Sequence, residues 1–349
     1  MRVLAGLVGT AVIVLTLAEF FVAFLLPRRV RREPRVAQMI LVAGWRVWRF
    51  VARRLPARSG DTMLGFYGPR RLLFAIALWS VALIFGFALL QWAAGSHVVA
   101  HGGGGFDDDL FFSAGGFLSA SMQLSPSTGL ARGLFLGEAA CGFGVLFVAI
   151  GYLPAIYQAS SRREVAVAQL APRAGTPPTA GALIVRSGRR GGWPDLDAYL
   201  AEWEGWAAEL METHLSYPAL AYFRSQHVGQ NWLAALTTVI DACAFAIAAS
   251  PDEADVDSAE VTLSIGRHAL ADVSLVLRAK PGRFDPPRLG SDEFTALWDL
   301  AARSGLELKA KKEVETRLSE LRSGYEPLVA GLARALELTP SSWLPPAAD

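Results

Sequence analysis

Apolar residues gather in three long runs, 4–26, 72–94 and 133–157. Each is long enough to carry a helix across a bilayer core of about 30 Å, which takes about 20 residues. A fourth apolar stretch, 109–120, has about half that length. It is bracketed by glycines 102–105 on one side and Ser125-Pro126 on the other. A segment this short cannot cross. Its length fits a re-entrant half-helix, and such backbone survives at membrane depth only where protein buries it or where it lines water. Asp107, Asp108 and Asp109 fall at its start, where carboxylates cap free amides and meet the positive end of the helix dipole. Attraction of external cations is the other role open to them.

Residues 36–54 follow a different pattern. Val36, Met39, Ile40, Val47, Phe50 and Val51 share one helical face, with Arg46, Arg49, Arg53 and Arg54 largely elsewhere. Two readings fit this pattern: a helix lying on the inner membrane surface, or one packing the same face onto the C-terminal part of the chain. Residues 171–192 are rich in Pro, Gly, Thr and Arg and read as a linker. Pro194 then opens a helix with Leu196, Tyr199, Leu200, Trp203, Ala207 and Leu210 on one face. Similar patterns occupy 217–249, 258–279, 291–304, 308–323 and 326–338. The stretch 232–249 approaches membrane length, but Asp241 interrupts it and its flanks are polar, which predicts a buried core helix.

The pattern therefore predicts an all-α membrane protein with three transmembrane helices, a re-entrant helix and an all-α cytoplasmic domain. Its parts are an N-terminal transmembrane helix in 1–27, a basic cytoplasmic linker with an amphipathic helix in 28–71, a helix–loop–helix module in 72–158, a linker in 159–192 and a helical domain in 193–349.

Composition strengthens the membrane reading: 52% of residues are hydrophobic, 19% are charged and the mean hydropathy is +0.33, too apolar for an ordinary soluble chain. The first run is too long for a secretory signal, Glu19 interrupts it and no small-residue cleavage site precedes Pro27, so it reads as a retained helix. Residues 28–71 hold twelve arginines, whereas residues 95–132 hold only Arg132. That asymmetry places 28–71 and the C-terminus in the cytoplasm and the N-terminus outside, in a multi-pass protein of the inner (plasma) membrane. Basic clusters beside apolar spans suggest membrane lipid rather than nucleic acid as their partner. Cys141 and Cys243 read as packing residues and imply no disulfide.

Spans two and three and the short segment between them resemble the two-helix pore domain of the potassium-channel family. The residues that carry the likeness are Phe111–Ala114, Pro126, and the stretch from Glu138 to Glu164 with its paired Gly142 and Gly144. The resemblance is closest to bacterial members with an extra N-terminal span and a cytoplasmic helical domain. It implies a tetramer passing a monovalent cation, potassium in the family. Family members close the loop with a Gly-x-Gly filter; here Ser119, Ala120, Ser121, Met122 and Gln123 stand in that position. A filter of stacked carbonyls needs left-handed backbone that glycine supplies without strain, so potassium selectivity does not carry over.

Three outcomes follow for the loop: a less selective cation pathway using the Ser119 and Ser121 hydroxyls and the Gln123 amide, a closed pore narrowed by Met122, or a non-conducting regulatory or structural subunit. A mixed oligomer with a filter-bearing subunit is also compatible. Gly142 and Gly144 have two readings, a gating hinge and close helix packing. Glu138 is predicted to brace the back of the short helix through Ser113 or Ser119, and Pro154 to bend the third span. In the C-terminal domain His214, His227 and His268 are too dispersed to form a metal site. No phosphate loop, nucleophile elbow, cofactor motif or catalytic constellation occurs, so no enzyme activity is expected.

Overall fold

The computed structural model describes residues 1–24, 36–95, 105–120, 128–225 and 229–346. Among these residues the fold is helical, without strands. The chain divides into two compact units, Met1–Tyr157 and Gln158–Asp349.

The first unit contains α1 (Arg2–Phe24), α2 (Val36–Ala52), α3 (Ala57–Gly65), α4 (Tyr67–Ala94), α5 (Phe106–Phe117) and the first part of α6 (Gly129–Ala174). Two glycines set the approach of α1 to α4. A methyl group on Gly9 would stand 2.7 Å from the Gly86 carbonyl oxygen, and one on Gly86 would stand 2.7 Å from the Ile13 side chain. Small residues of this kind let apolar helices bring their backbones together, where dispersion rather than water exclusion holds them. Further along the pair, the Trp79 indole donates to Glu19 at 3.4 Å, and Phe20 and Phe24 pack edge-on against Trp79 at 5.6 and 5.4 Å. The ionisable residue inside the first apolar run is thus partnered from the neighbouring helix.

Helix α2 buries Trp45 and Ala52, and Trp45 packs on Tyr67 at the start of α4 at 4.6 Å. Trp48 donates to the Met63 carbonyl at 2.9 Å, which ties α2 to α3. Val47, Phe50 and Val51 remain exposed. Ile40 is exposed with them, so the described members of the apolar face expected from the sequence are open, and the residues that pack, Trp45 and Ala52, lie outside that face.

The second unit is built from the end of α6, α7 (Ala180–Gly188), α8 (Trp193–Ser216), α9 (Trp232–Ala249), α10 (Asp257–Leu277), α11 (Ser291–Arg303), α12 (Lys311–Ser323) and α13 (Glu326–Leu336). Residues 171–192 correct the linker reading. Helix α6 runs to Ala174, and α7 buries Ala180, Leu183 and Ile184 in the core. The residues that suggested a linker make helix ends instead. Gly175 takes a left-handed φ of +86°, and the Thr179 hydroxyl caps α7 by accepting from the Ala182 amide at 3.3 Å.

The continuous helix expected over 217–249 is also corrected. Pro218–Tyr222 is a single 3-10 segment, and α9 starts only where Asn231 caps it by accepting from the Ala234 amide at 2.8 Å. Helix α9 sits in the middle of the unit, and Asp197 of α8 receives the Ser258 and Ala259 amides at the start of α10.

Among the described residues, four helical stretches are long and apolar enough to cross a membrane, as a multi-pass membrane protein requires: Arg2–Phe24, Ser59–Ala94, Gly129–Ala174 and Trp232–Ala249. They differ in what covers them. The most apolar windows of the first three are 22, 39 and 17% buried, while that of α9 is 94% buried among the other helices of its unit.

Candidate functional site

The module singled out by the sequence is formed by α4, α5 and α6. Helix α5 starts at Gly105, whose amide donates to Asp108 at 3.4 Å, and Asp107, Asp108 and Asp109 occupy its first turn. Acidic side chains there offset the dipole and the free amides of the helix end. Its twelve residues span only ~18 Å. Phe106 packs edge-on against Phe85 and Trp92 of α4 at 5.8 and 6.1 Å, and Phe112 stacks on Phe135 of α6 at 5.0 Å. The short helix is therefore held by aromatic contacts from both long neighbours.

Two glycines permit the closeness of α5 and α6. A methyl group on Gly116 would stand 2.9 Å from the Phe135 ring and 3.3 Å from the Glu138 carboxyl. A methyl group on Gly142 would overlap the Phe117 carbonyl. Gly142 thus sits where the end of α5 meets α6. Gly144 differs, because a methyl group there would meet nothing within 4 Å, and the same holds for Gly129, Gly133 and Gly151. Phe143, Leu146, Phe147 and Ile150 are exposed on the same helix, which continues uninterrupted through Pro154.

Glu138 is fully buried with its carboxyl against Gly116 of α5. Ser113 of α5 is also fully buried, and no hydrogen bond of normal geometry joins its hydroxyl to the Glu138 carboxyl. Ser119 lies at the other end of α5, away from this pair in sequence and exposed. Gln91 was not singled out by the sequence; it is buried in α4 and donates to the Ala131 carbonyl at 3.2 Å, linking α4 to the first turn of α6. A glutamine near the end of an apolar run is the signal that marks it.

Helix α5 ends in a left-handed cap. Ser119 has φ +54°, its amide donates to the Gly116 carbonyl at 3.1 Å, and the Ala120 amide donates to Gly115 at 2.9 Å. This is the paired hydrogen bonding that closes many helices, with serine in place of the usual glycine. Ser119 and Ala120 are therefore committed to terminating α5. Ser121, Met122 and Gln123 lie outside the described residues.

In the second unit, Arg163 is buried although it belongs to a basic cluster in the sequence. It donates to the Leu220 and Phe223 carbonyls at 3.0 and 2.8 Å and to Glu164 at 2.8 Å. Burial lowers its pKa, and the Glu164 carboxylate opposes that shift. His214 lies 3.5 Å from the Arg163 guanidinium and its Nδ1 is 2.7 Å from the Leu210 carbonyl. Burial first, and then the Arg163 charge, push the His214 pKa down to about 3, against the Leu210 hydrogen bond. The ring is therefore neutral, with Nδ1 donating to Leu210 and Nε2 facing Arg163.

No group of three or more His, Cys, Asp or Glu placed to hold a metal occurs among the described residues. His227 lies outside them. No family model matches this sequence, and no curated protein or solved structure matches it either.

Proposed function

We propose that this chain is a subunit of a potassium-channel-like cation pore in the inner (plasma) membrane. In this reading α1, α4 and α6 cross the bilayer, α5 is re-entrant, the N-terminus is outside and the second unit is a cytoplasmic helical domain. The observation that carries the proposal is α5, too short to cross and fitted between α4 and α6 by aromatic stacking and by Gly116 and Gly142. One such module supplies only a fraction of a pore, so copies gather around an axis, four by the family resemblance. The open face of α6, with Gly144, Phe143 and Phe147, offers the surface on which they meet.

The cation selected is monovalent, with weak discrimination between potassium and sodium, because no Gly-x-Gly element follows α5. A second reading, a non-conducting subunit that keeps the scaffold, is favoured by the cap at Ser119. That residue occupies the first filter position with its amide already bound to the helix.

Flux measurements on the full chain in liposomes test the proposal. Potassium and sodium flux above that of protein-free liposomes is expected. Flux at the protein-free level, restored by the Ser121→Gly and Gln123→Gly double variant, would overturn conduction by the native sequence and leave the non-conducting reading. A stable monomer in native lipid would remove the shared pore in either reading.

A further inference from the structure

The second unit carries a cleft of about 560 Å³ with four arginines in its wall: Arg173, Arg186, Arg189 and Arg190. Its volume lies within the range of small-molecule sites. Arg173 comes from the last turn of α6, Arg186 from the last turn of α7, and Arg189 and Arg190 from the turn after it. The apolar part of the wall is Ala182, Val185, Leu300 and Pro345. No carboxylate lines the cleft, and Glu202, which acts on the nearby Tyr199, is outside its wall.

Two of the guanidinium groups are fixed in place. Arg173 lies over the Tyr199 ring at 4.1 Å, and Arg186 donates one N–H to the Pro172 carbonyl at 3.0 Å. Both line the same cleft, so their charges converge on one region. Holding like charges together costs Coulomb energy that a bound anion would relieve, and a concave wall of one sign concentrates the field. Fixed guanidinium forks with spare N–H groups match the paired oxygens of phosphate better than they match a single charge. The apolar wall beside them accommodates an organic group rather than a bare ion.

We propose that this cleft binds a phosphate-bearing organic anion of roughly nucleotide size, either a soluble phosphate ester or the headgroup of an anionic phospholipid. The full chain in nanodiscs of phosphatidylcholine alone, titrated with a fluorescent ATP, tests the first source. Titration with short-chain phosphatidylglycerol, followed by the shift in thermal midpoint, tests the second. Saturable binding of either probe, weakened about tenfold or more in the Arg186→Ala, Arg189→Ala, Arg190→Ala triple variant but not in Arg317→Ala, is expected. All three substituted side chains are exposed, so the variant keeps the core intact. Response to ATP identifies a soluble ligand, and response to phosphatidylglycerol alone identifies the headgroup. Absence of saturable binding of both probes, or binding that survives the triple variant, would overturn the proposal.

Discussion

At the scale of single residues, the pair Arg163 and His214 shows how burial turns common surface residues into determinants of stability. Arg163 hydrogen-bonds carbonyls of the segment after α8, and His214 is neutral because a charged ring would sit unsolvated beside a guanidinium. Unfolded His214 titrates near 6.5 and the folded ring near 3. Between those values the unfolded chain binds a proton that the folded chain does not, so stability is complete above about 6.5 and falls as the pH drops. The expected slope from this residue is about 1.4 kcal/mol per pH unit. Denaturant unfolding of the native chain and of His214→Gln at several pH values checks this. The variant should lose that slope, and parallel pH profiles would show that His214 contributes none of it.

At the scale of elements, the contact of α5 with α6 depends on a backbone approach that only glycine allows. A methyl group on Gly142 would overlap the Phe117 carbonyl, whereas one on Gly144 would project into open space. Gly142→Ala is therefore expected to destabilise the first unit by about 1–3 kcal/mol, as overpacking does. Gly144→Ala should be neutral or stabilising by up to about 1 kcal/mol, because alanine is the better helix former. Thermal midpoints of the two variants in one detergent make the comparison, and equal shifts would contradict this packing. The two glycines look equivalent in the sequence, and only the position of α5 separates them.

At the scale of the whole molecule, the second unit is closed by a buried charge network. Arg288 binds Asp241 of α9 with two hydrogen bonds at 2.9 and 3.0 Å, Glu326 of α13 with two more, and the Ser341 carbonyl at 2.8 Å. Tyr325 donates to the same Asp241 at 2.7 Å. Burial alone would lower the Arg288 pKa, but the Asp241 charge and the hydrogen bonds to Asp241 and Glu326 outweigh it and raise the value, so the guanidinium stays charged. Removing Arg288 would leave the buried Asp241 carboxylate without a balancing charge, held by the Tyr325 hydroxyl. Arg288→Met is expected to cost about 3–5 kcal/mol, read by tryptophan fluorescence during denaturation of the full chain. A loss below about 1 kcal/mol would show that the network contributes specificity rather than stability. The C-terminal segment is drawn in as well, since Asn231 donates to the Thr339 carbonyl and the Gly181 amide to that of Trp343, both at 2.8 Å.

The sequence by itself determined most of the elements that form, but not α7 or the break before α9. Run length and period located the long apolar helices, the short α5 with its acidic first turn and most helices of the second unit, because each depends on spacing over one or a few turns. Asp241 inside an apolar run and the polar flanks marked α9 as a buried core helix, and it is buried among the other helices of its unit.

Tertiary structure alone decided the partners. Arg288 lies 47 residues from Asp241, Gly9 meets Gly86, Gly142 meets Phe117 and Arg163 turns inward. It also turned the Gly- and Pro-rich stretch before α8 from an apparent linker into a cap and a core helix. Local composition registers how a chain turns, but burial depends on what lies across the turn.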